Sequence, residues 1–166
     1  FVLIPKWTGL FYDDIADGCK EAALESNVSC IYLGAKSADA QGQADLIKDV
    51  VINPAKYNIT KVAGMGVAVL DEKITGDAID FVTKQNIPVV TFDSDAPKST
   101  RIAYVGTNNS AFGEELGKVM KQLDPTGGQY RMITGIGPNL ALRVDGVRHA
   151  LSNSKWVEVS PPLYCN

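Results

Sequence analysis

The sequence predicts an α/β protein, a doubly wound parallel sheet followed by an incomplete second α/β lobe. Short apolar runs rich in β-branched residues alternate with stretches of helical periodicity, the order that builds parallel strands joined by right-handed crossovers. The runs stop abruptly at Pro, Gly or acidic residues, as buried strands do where they deliver side chains to the carboxyl edge of a sheet. After Gly106 the alternation begins again and ends after two strands and two helices, too few to close a second lobe. The expected division is therefore Phe1 to Gly106 for an N-terminal α/β lobe and Thr107 to Asn166 for a partial second one.

Val2 to Ile4 is a short apolar strand ended by Pro5, and Lys6-Trp-Thr-Gly9 is a strand-to-helix loop. From Phe11 to Glu25, Ile15, Cys19, Ala22 and Ala23 recur at helical spacing, and Asp13 and Asp14 sit where the helix dipole favours negative charge. Ile31 to Leu33 is the second strand. Ala40 to Ile52 is the second helix, with Leu46, Ile47, Val50 and Val51 inward and Asn53-Pro54 ending it. Val62 to Val69 reads as the third strand and Glu72 to Gln85 as the third helix, with Ile74, Ala78, Ile79 and Val82 inward. Pro88 to Phe92 and Ile102 to Val105 complete the first sheet. Beyond Gly106, Asn109 to Gln122 is helical, Tyr130 to Thr134 is a strand and Gly135-Ile-Gly-Pro138 a loop. Ala141 to Ser152 is a helix with Arg143 in its first turn, and Trp156 to Ser160 is a last strand before Pro161-Pro162. An unpaired sheet edge there favours association, so a dimer through the incomplete second lobe is an expected assembly.

With 166 residues, 45% of them hydrophobic, and a net charge of -3, the chain is long enough for one good core and short for two full domains. Its Lys and Arg residues are scattered, which leaves no electrostatic footprint for nucleic acid. No apolar run approaches the roughly 20 residues of a membrane span. The single histidine, His149, has no nucleophile beside it, and there is no Gly-x-Ser-x-Gly elbow, phosphate loop or metal-ligand spacing. Neither catalysis nor a cofactor is expected. Cys19 and Cys30 fall on the first helix and at the start of the next strand, where a disulfide is geometrically allowed; two buried thiols are the alternative. A bridge would imply an oxidising compartment.

The stretch richest in chemistry is Ile87-Pro-Val-Val-Thr-Phe-Asp93-Ser-Asp95-Ala-Pro97, an apolar strand that delivers Asp93, Ser94 and Asp95 to the carboxyl edge. In open α/β sheets ligands bind beyond that edge, near the point where strand order reverses. A turn-capping role for the two carboxylates is the plainer reading. Lys6 and Trp7 follow the first strand, Phe11 and Tyr12 open the first helix, and Arg143 opens a later one. Flat aromatic faces with carboxylates and a guanidinium suit a polyhydroxylated ligand, since rings cover the C–H side of a sugar while the charged groups hold its hydroxyls.

Several pieces, in order, resemble the type I periplasmic solute-binding proteins of the ribose, rhamnose and autoinducer-2 group. They are Ile4-Pro-Lys6 with Phe11-Tyr12 and Asp17-Gly18, Gly42-Gln43 with Leu46-Ile47, Ile87 to Asp95, Tyr104-Val-Gly-Thr-Asn-Asn109, and Ile133-Thr-Gly-Ile followed by Arg143-x-x-Gly146. The resemblance implies ring-stacking positions at Phe11 and Tyr12, a hydroxyl-binding carboxylate at Asp93 and a second-lobe arginine at Arg143. It also implies a sugar as ligand, the membrane subunits of an ABC importer or a receptor as partner, and a periplasmic or extracellular location. The outer domain of a sugar or autoinducer-2 sensor and the core of a sugar-responsive transcription factor share this fold. Leu142-Arg143 stands where the autoinducer-2 branch has an Asp-Gln pair, and Gly9-Leu10 where ribose binders have Asn-Pro. Both departures point toward another monosaccharide. Family members draw further polar ligands from later in the second lobe, so Phe1 to Asn166 alone is expected to bind sugar weakly or not at all.

Overall fold

Five parallel strands, β1 (Val2–Ile4), β2 (Ile31–Tyr32), β3 (Met65–Val67), β4 (Val89–Phe92) and β5 (Ala103–Val105), form one sheet in the order β2-β1-β3-β4-β5. The computed structural model describes Phe1 to Cys165 and divides into two units, Phe1–Gly106 and Thr107 onward. In the first unit the strands are level enough that Ile4 pairs with Val67 and Val67 with Thr91. Strand order reverses between β1 and β3, because the chain leaves β1 for β2 on one side and then crosses to β3 on the other.

The crossovers are helices α1 (Leu10–Glu25), α2 (Ala40–Ile52) and α3 (Glu72–Thr83), and a 3-10 turn, Pro54–Tyr57, follows α2. Asp39 and Asp71 cap α2 and α3, each carboxylate accepting backbone N–H groups of the first turn. α2 and α3 pack against each other and bury Ile47, Val50, Ala78, Ile79 and Val82 with Val2, Ile4, Val67 and Val89 of the sheet. Ile74 departs from expectation: it lies exposed, and Thr75 takes the buried position. The buried stripe runs Thr75, Ala78, Ile79, Val82, spaced by three and four residues, and Ile74 is one residue out of phase with it.

A polar amide sits inside this core. The Gln43 amide, nearly fully buried, donates to the carbonyls of Pro5 (2.9 Å) and Ala68 (2.7 Å) and accepts from the Leu70 N–H (3.2 Å) and the Thr75 hydroxyl (2.9 Å). Those bonds join the carboxyl ends of β1 and β3 to α2 and α3. α1 is held differently, since Tyr12, Cys19 and Ala23 are its buried residues and a Cys19–Cys30 disulfide ties it to the approach of β2.

The second unit consists of α4 (Asn109–Leu123), β6 (Gly128–Tyr130), β7 (Ile133–Thr134), α5 (Pro138–Leu151), β8 (Trp156–Glu158) and β9 (Leu163–Tyr164). α4 packs on α5 so closely that the Arg143 carbonyl occupies the space a Cβ at Gly113 would need. The single strand expected over Tyr130 to Thr134 is two, β6 pairing with β8 and β7 with β9, both parallel. The partner run carries Pro161 and Pro162, which have no N–H to donate, and the ladder breaks there. α5 also starts earlier than its apolar pattern suggested, because Pro138 occupies the first helical turn, where its missing N–H costs nothing.

Replacing Gln43 by Leu leaves four buried polar groups short of a partner. Urea unfolding of Gln43→Leu is expected to show a loss of about 3 kcal/mol; a loss within error of zero would mean those groups find other partners. Removing the disulfide as Cys19→Ala with Cys30→Ala opens a loop of sequence separation 11 and is expected to cost about 3 kcal/mol in the same measurement. An unchanged unfolding midpoint would count against that.

Candidate functional site

The first unit gathers its polar and aromatic groups at the carboxyl ends of β1 and β4. β1 runs through Pro5 into Lys6 and Trp7, and α1 opens two residues after Thr8 with Leu10, Phe11 and Tyr12. β4 ends at Phe92, and Asp93 follows with φ of 60°, in the left-handed region that few non-glycine residues adopt. The Tyr12 hydroxyl donates to Asp93 Oδ2 at 2.9 Å, and Lys6 Nζ lies 3.2 Å from the same oxygen. The Lys6 side chain is 3% exposed and that of Asp93 18%, so the ammonium is sealed in while the carboxylate stays partly exposed. A buried ammonium needs such a counter-charge.

Tyr12 does not present a ring face. It is fully buried, and Trp7, Phe11 and Phe92 meet it edge-on at centroid distances of 5.5, 4.9 and 6.5 Å. Burial, then the charge and hydrogen bond of Asp93, push its hydroxyl well above the ordinary tyrosine range and keep it a donor. Phe11, the neighbouring ring, is 68% exposed and Trp7 half-buried.

Ser94 and Asp95 are turned to other work. Ser94 is fully buried, and its hydroxyl donates to the Val69 carbonyl at 2.6 Å, joining the ends of β3 and β4. Asp95 accepts from both Arg101 Nε (2.5 Å) and Nη2 (2.6 Å), from the Thr91 hydroxyl (2.6 Å) and from the Ala96 N–H (2.8 Å). The turn-capping reading thus describes Asp95 and not Asp93. Burial alone would raise the Asp95 carboxyl, but the Arg101 fork and the Thr91 hydroxyl outweigh it and hold the group below its ordinary 3.8. Sequence reasoning passed over Arg101 and Tyr104, whose hydroxyl donates to the Asp93 carbonyl at 2.9 Å. Arg101 shows in the sequence only as a lone basic residue six beyond Asp95, and Tyr104 as the first residue of the Tyr104-Val-Gly-Thr-Asn-Asn109 run, which does not point to Asp93.

In the second unit Arg143 lies at the sixth residue of α5 rather than in its first turn. Its Nε donates to Asn109 Oδ1 at 2.7 Å, and its guanidinium carbon sits 4.6 Å from the centre of the Phe112 ring. Among the described residues no cluster of His, Cys, Asp and Glu could hold a metal, and no helix is long and apolar enough to cross a membrane.

The model for the periplasmic binding protein domain matches residues 1–165. The chain belongs to that family. The ribose import binding protein of Escherichia coli is 27% identical over 130 residues, which cover 73% of this chain and 44% of that protein. A glucose-galactose binding protein of Geobacillus stearothermophilus is 30% identical with a TM-score of 0.87, over 99% of this chain and 57% of its own. XylFII, in the XylFII-LytSN complex, is 31% identical with a TM-score of 0.84, over 98% and 58%. The chain spans about half the length of the curated relatives it matches. The family's type I fold is the one observed: a mostly parallel sheet with helices and a partial second lobe.

Because the folded Asp95 is held below 3.8, its stabilising contribution is present in full above that value and is lost as pH falls from there through the lowered folded value. Asp95→Asn is expected to lose about 2 kcal/mol in urea unfolding at neutral pH. The gap to the parent should narrow as the pH is taken below 3.8 and close only once it passes the lowered value of the folded aspartate, where that group is itself neutralised. A gap independent of pH would rule out the ion pair as its cause.

Proposed function

We propose that this chain is the sugar-receiving part of a solute-binding protein that serves an ABC importer, with Asp93 as the carboxylate that grips a monosaccharide. The observation that carries the reading is the Asp93 carboxylate, oriented by Tyr12 and Lys6 at one oxygen and partly exposed, with the exposed Phe11 ring packed on the same Tyr12. An oriented carboxylate accepts hydrogen bonds from sugar hydroxyls, and the Phe11 and Trp7 rings offer apolar surface to the C–H face. Lys6 already balances the charge of Asp93, so the ligand need not bring a cation, which suits a neutral polyol. Tyr12, Ser94 and Asp95 then support the site rather than touch sugar. Arg143 enters through the family resemblance as a further donor to hydroxyls.

The relatives named for ribose import and for glucose and galactose binding support a sugar as ligand and a binding protein rather than an enzyme. A sensing role is the second reading, favoured by the likeness to XylFII of the XylFII-LytSN complex. The Cys19–Cys30 disulfide supports a periplasmic or extracellular location and weighs against an intracellular transcription factor.

Titration of the isotope-labelled protein with a panel of pentoses and hexoses, followed by NMR, reads weak as well as tight binding. At least one sugar is expected to shift the amides of Phe11 and Asp93, and Asp93→Asn to weaken it about 10- to 100-fold. If sugars shift amides elsewhere and leave those two unmoved, or if Asp93→Asn binds as the parent does, the reading fails.

A further inference from the structure

Asp93 is held in a conformation that its own chemistry disfavours. The Ser94 N–H reaches back to the Phe92 carbonyl at 2.6 Å, closing a three-residue turn around Asp93 with φ of 60° at its centre. Such turns are rare and strained, and they persist where surrounding contacts over-determine them. Two backbone contacts come from β5. The Asp93 N–H donates to the Val105 carbonyl at 3.1 Å, and the Asp93 carbonyl accepts from the Tyr104 hydroxyl at 2.9 Å. The first continues the β4–β5 pairing, in which Phe92 stands opposite Val105. The second is made by a side chain that folds back along its own strand end. It crosses Gly106, and a Cβ there would collide with the Tyr104 hydroxyl and ring, with ring carbon Cε2 only 2.9 Å away. Gly106 has no need of glycine for its own backbone angles, since its φ is not positive.

We propose that Tyr104 is a positioning residue for Asp93, and that Gly106 is glycine because the Tyr104 side chain occupies the space its Cβ would take. Tyr104 draws the Asp93 carbonyl toward β5, which keeps the turn in its left-handed form and sets the direction of the carboxylate that Tyr12 and Lys6 then hold. As far as it concerns ligand affinity, the inference rests on the reading of Asp93 as the sugar-gripping carboxylate. Its conformational half stands apart from that reading.

The test uses Tyr104→Phe, Gly106→Ala and the double variant, with two readouts. Backbone chemical shifts and the three-bond H–N–Cα–H coupling of Asp93 report whether its φ stays positive. In each single variant Asp93 is expected to leave the left-handed region while the rest of the amide spectrum keeps the parent pattern. NMR titration with the sugar that binds the parent best is expected to show about tenfold weaker binding in each single variant. Because both changes break the same hydrogen bond, the double variant should also lose about tenfold, not the roughly hundredfold of independent sites. An Asp93 that stays left-handed in Tyr104→Phe would overturn the proposal, and so would losses that multiply in the double variant. If the parent binds no sugar, the conformation of Asp93 in Tyr104→Phe alone decides the role of Tyr104. Should Gly106→Ala fail to fold, Tyr104→Phe, which keeps the ring, carries the test.

Discussion

The carboxyl edge of the first unit depends on one buried amide. Gln43 lies a turn into α2, placed there by the Asp39 cap, and its own N–H is taken by the Asp39 carbonyl at 2.9 Å. Its side chain then meets groups from both strands that flank the reversal of strand order, Pro5 after β1 and Ala68 after β3. Strand ends at such a point would otherwise bury carbonyls with nothing to accept, at about 1–3 kcal/mol for each unmet group. With both donors and both acceptor positions in use, the amide turns that liability into a fixed separation between the two ends. Lys6 is the next residue after Pro5, and its height above the sheet follows.

From the same amide a line of hydrogen bonds runs to Asp93. Ala68, bonded to Gln43, precedes Val69, whose carbonyl accepts the Ser94 hydroxyl at 2.6 Å and whose N–H donates to the Ser94 carbonyl at 3.3 Å. Ser94 in turn closes the strained turn at Asp93. A non-glycine residue in that conformation costs about 1–3 kcal/mol, and a neutral hydrogen bond returns about 1 kcal/mol. No single bond can hold the turn. Ser94, Val105 and Tyr104 on the backbone, with Tyr12 and Lys6 on the carboxylate, hold it together. The buried Tyr12 ring also fixes the seats of Trp7 and Phe11, so the orientation of the acid and of the aromatic surface beside it share one source.

The alternation of strands and helices was legible because strands buried on both faces read as apolar runs, and the polar caps at Asp39 and Asp71 mark helix starts locally. What was hidden depends on distant residues. Ile74 and Thr75 differ by one step in phase, which the period does not resolve but the contact of Thr75 with Gln43 does. Likewise Tyr130 to Thr134 has the composition of one strand, and the break comes from prolines some thirty residues on, at Pro161 and Pro162, in the run that pairs with it. At the site, the family resemblance implied one ring-stacking role for both Phe11 and Tyr12. Neighbours on a helix point about 100° apart, and only the fold decides that Tyr12 faces Asp93 while Phe11 faces out.

The same reasoning separates the run Asp93, Ser94, Asp95. Read as a string, it offers three polar groups to one ligand. In a chain leaving a strand, successive side chains point in different directions, so three consecutive residues can scarcely meet in one place. The structure sends Asp93 to Tyr12 and Lys6, Ser94 to Val69 just after β3, and Asp95 to Thr91 of β4 itself and to Arg101 just ahead of β5. Ser94 and Asp95 anchor the loop to its two neighbouring strands. That anchoring leaves Asp93 as the residue between two fixed points, and a residue so placed can be kept in a strained turn with its carboxylate held by Tyr12 and Lys6.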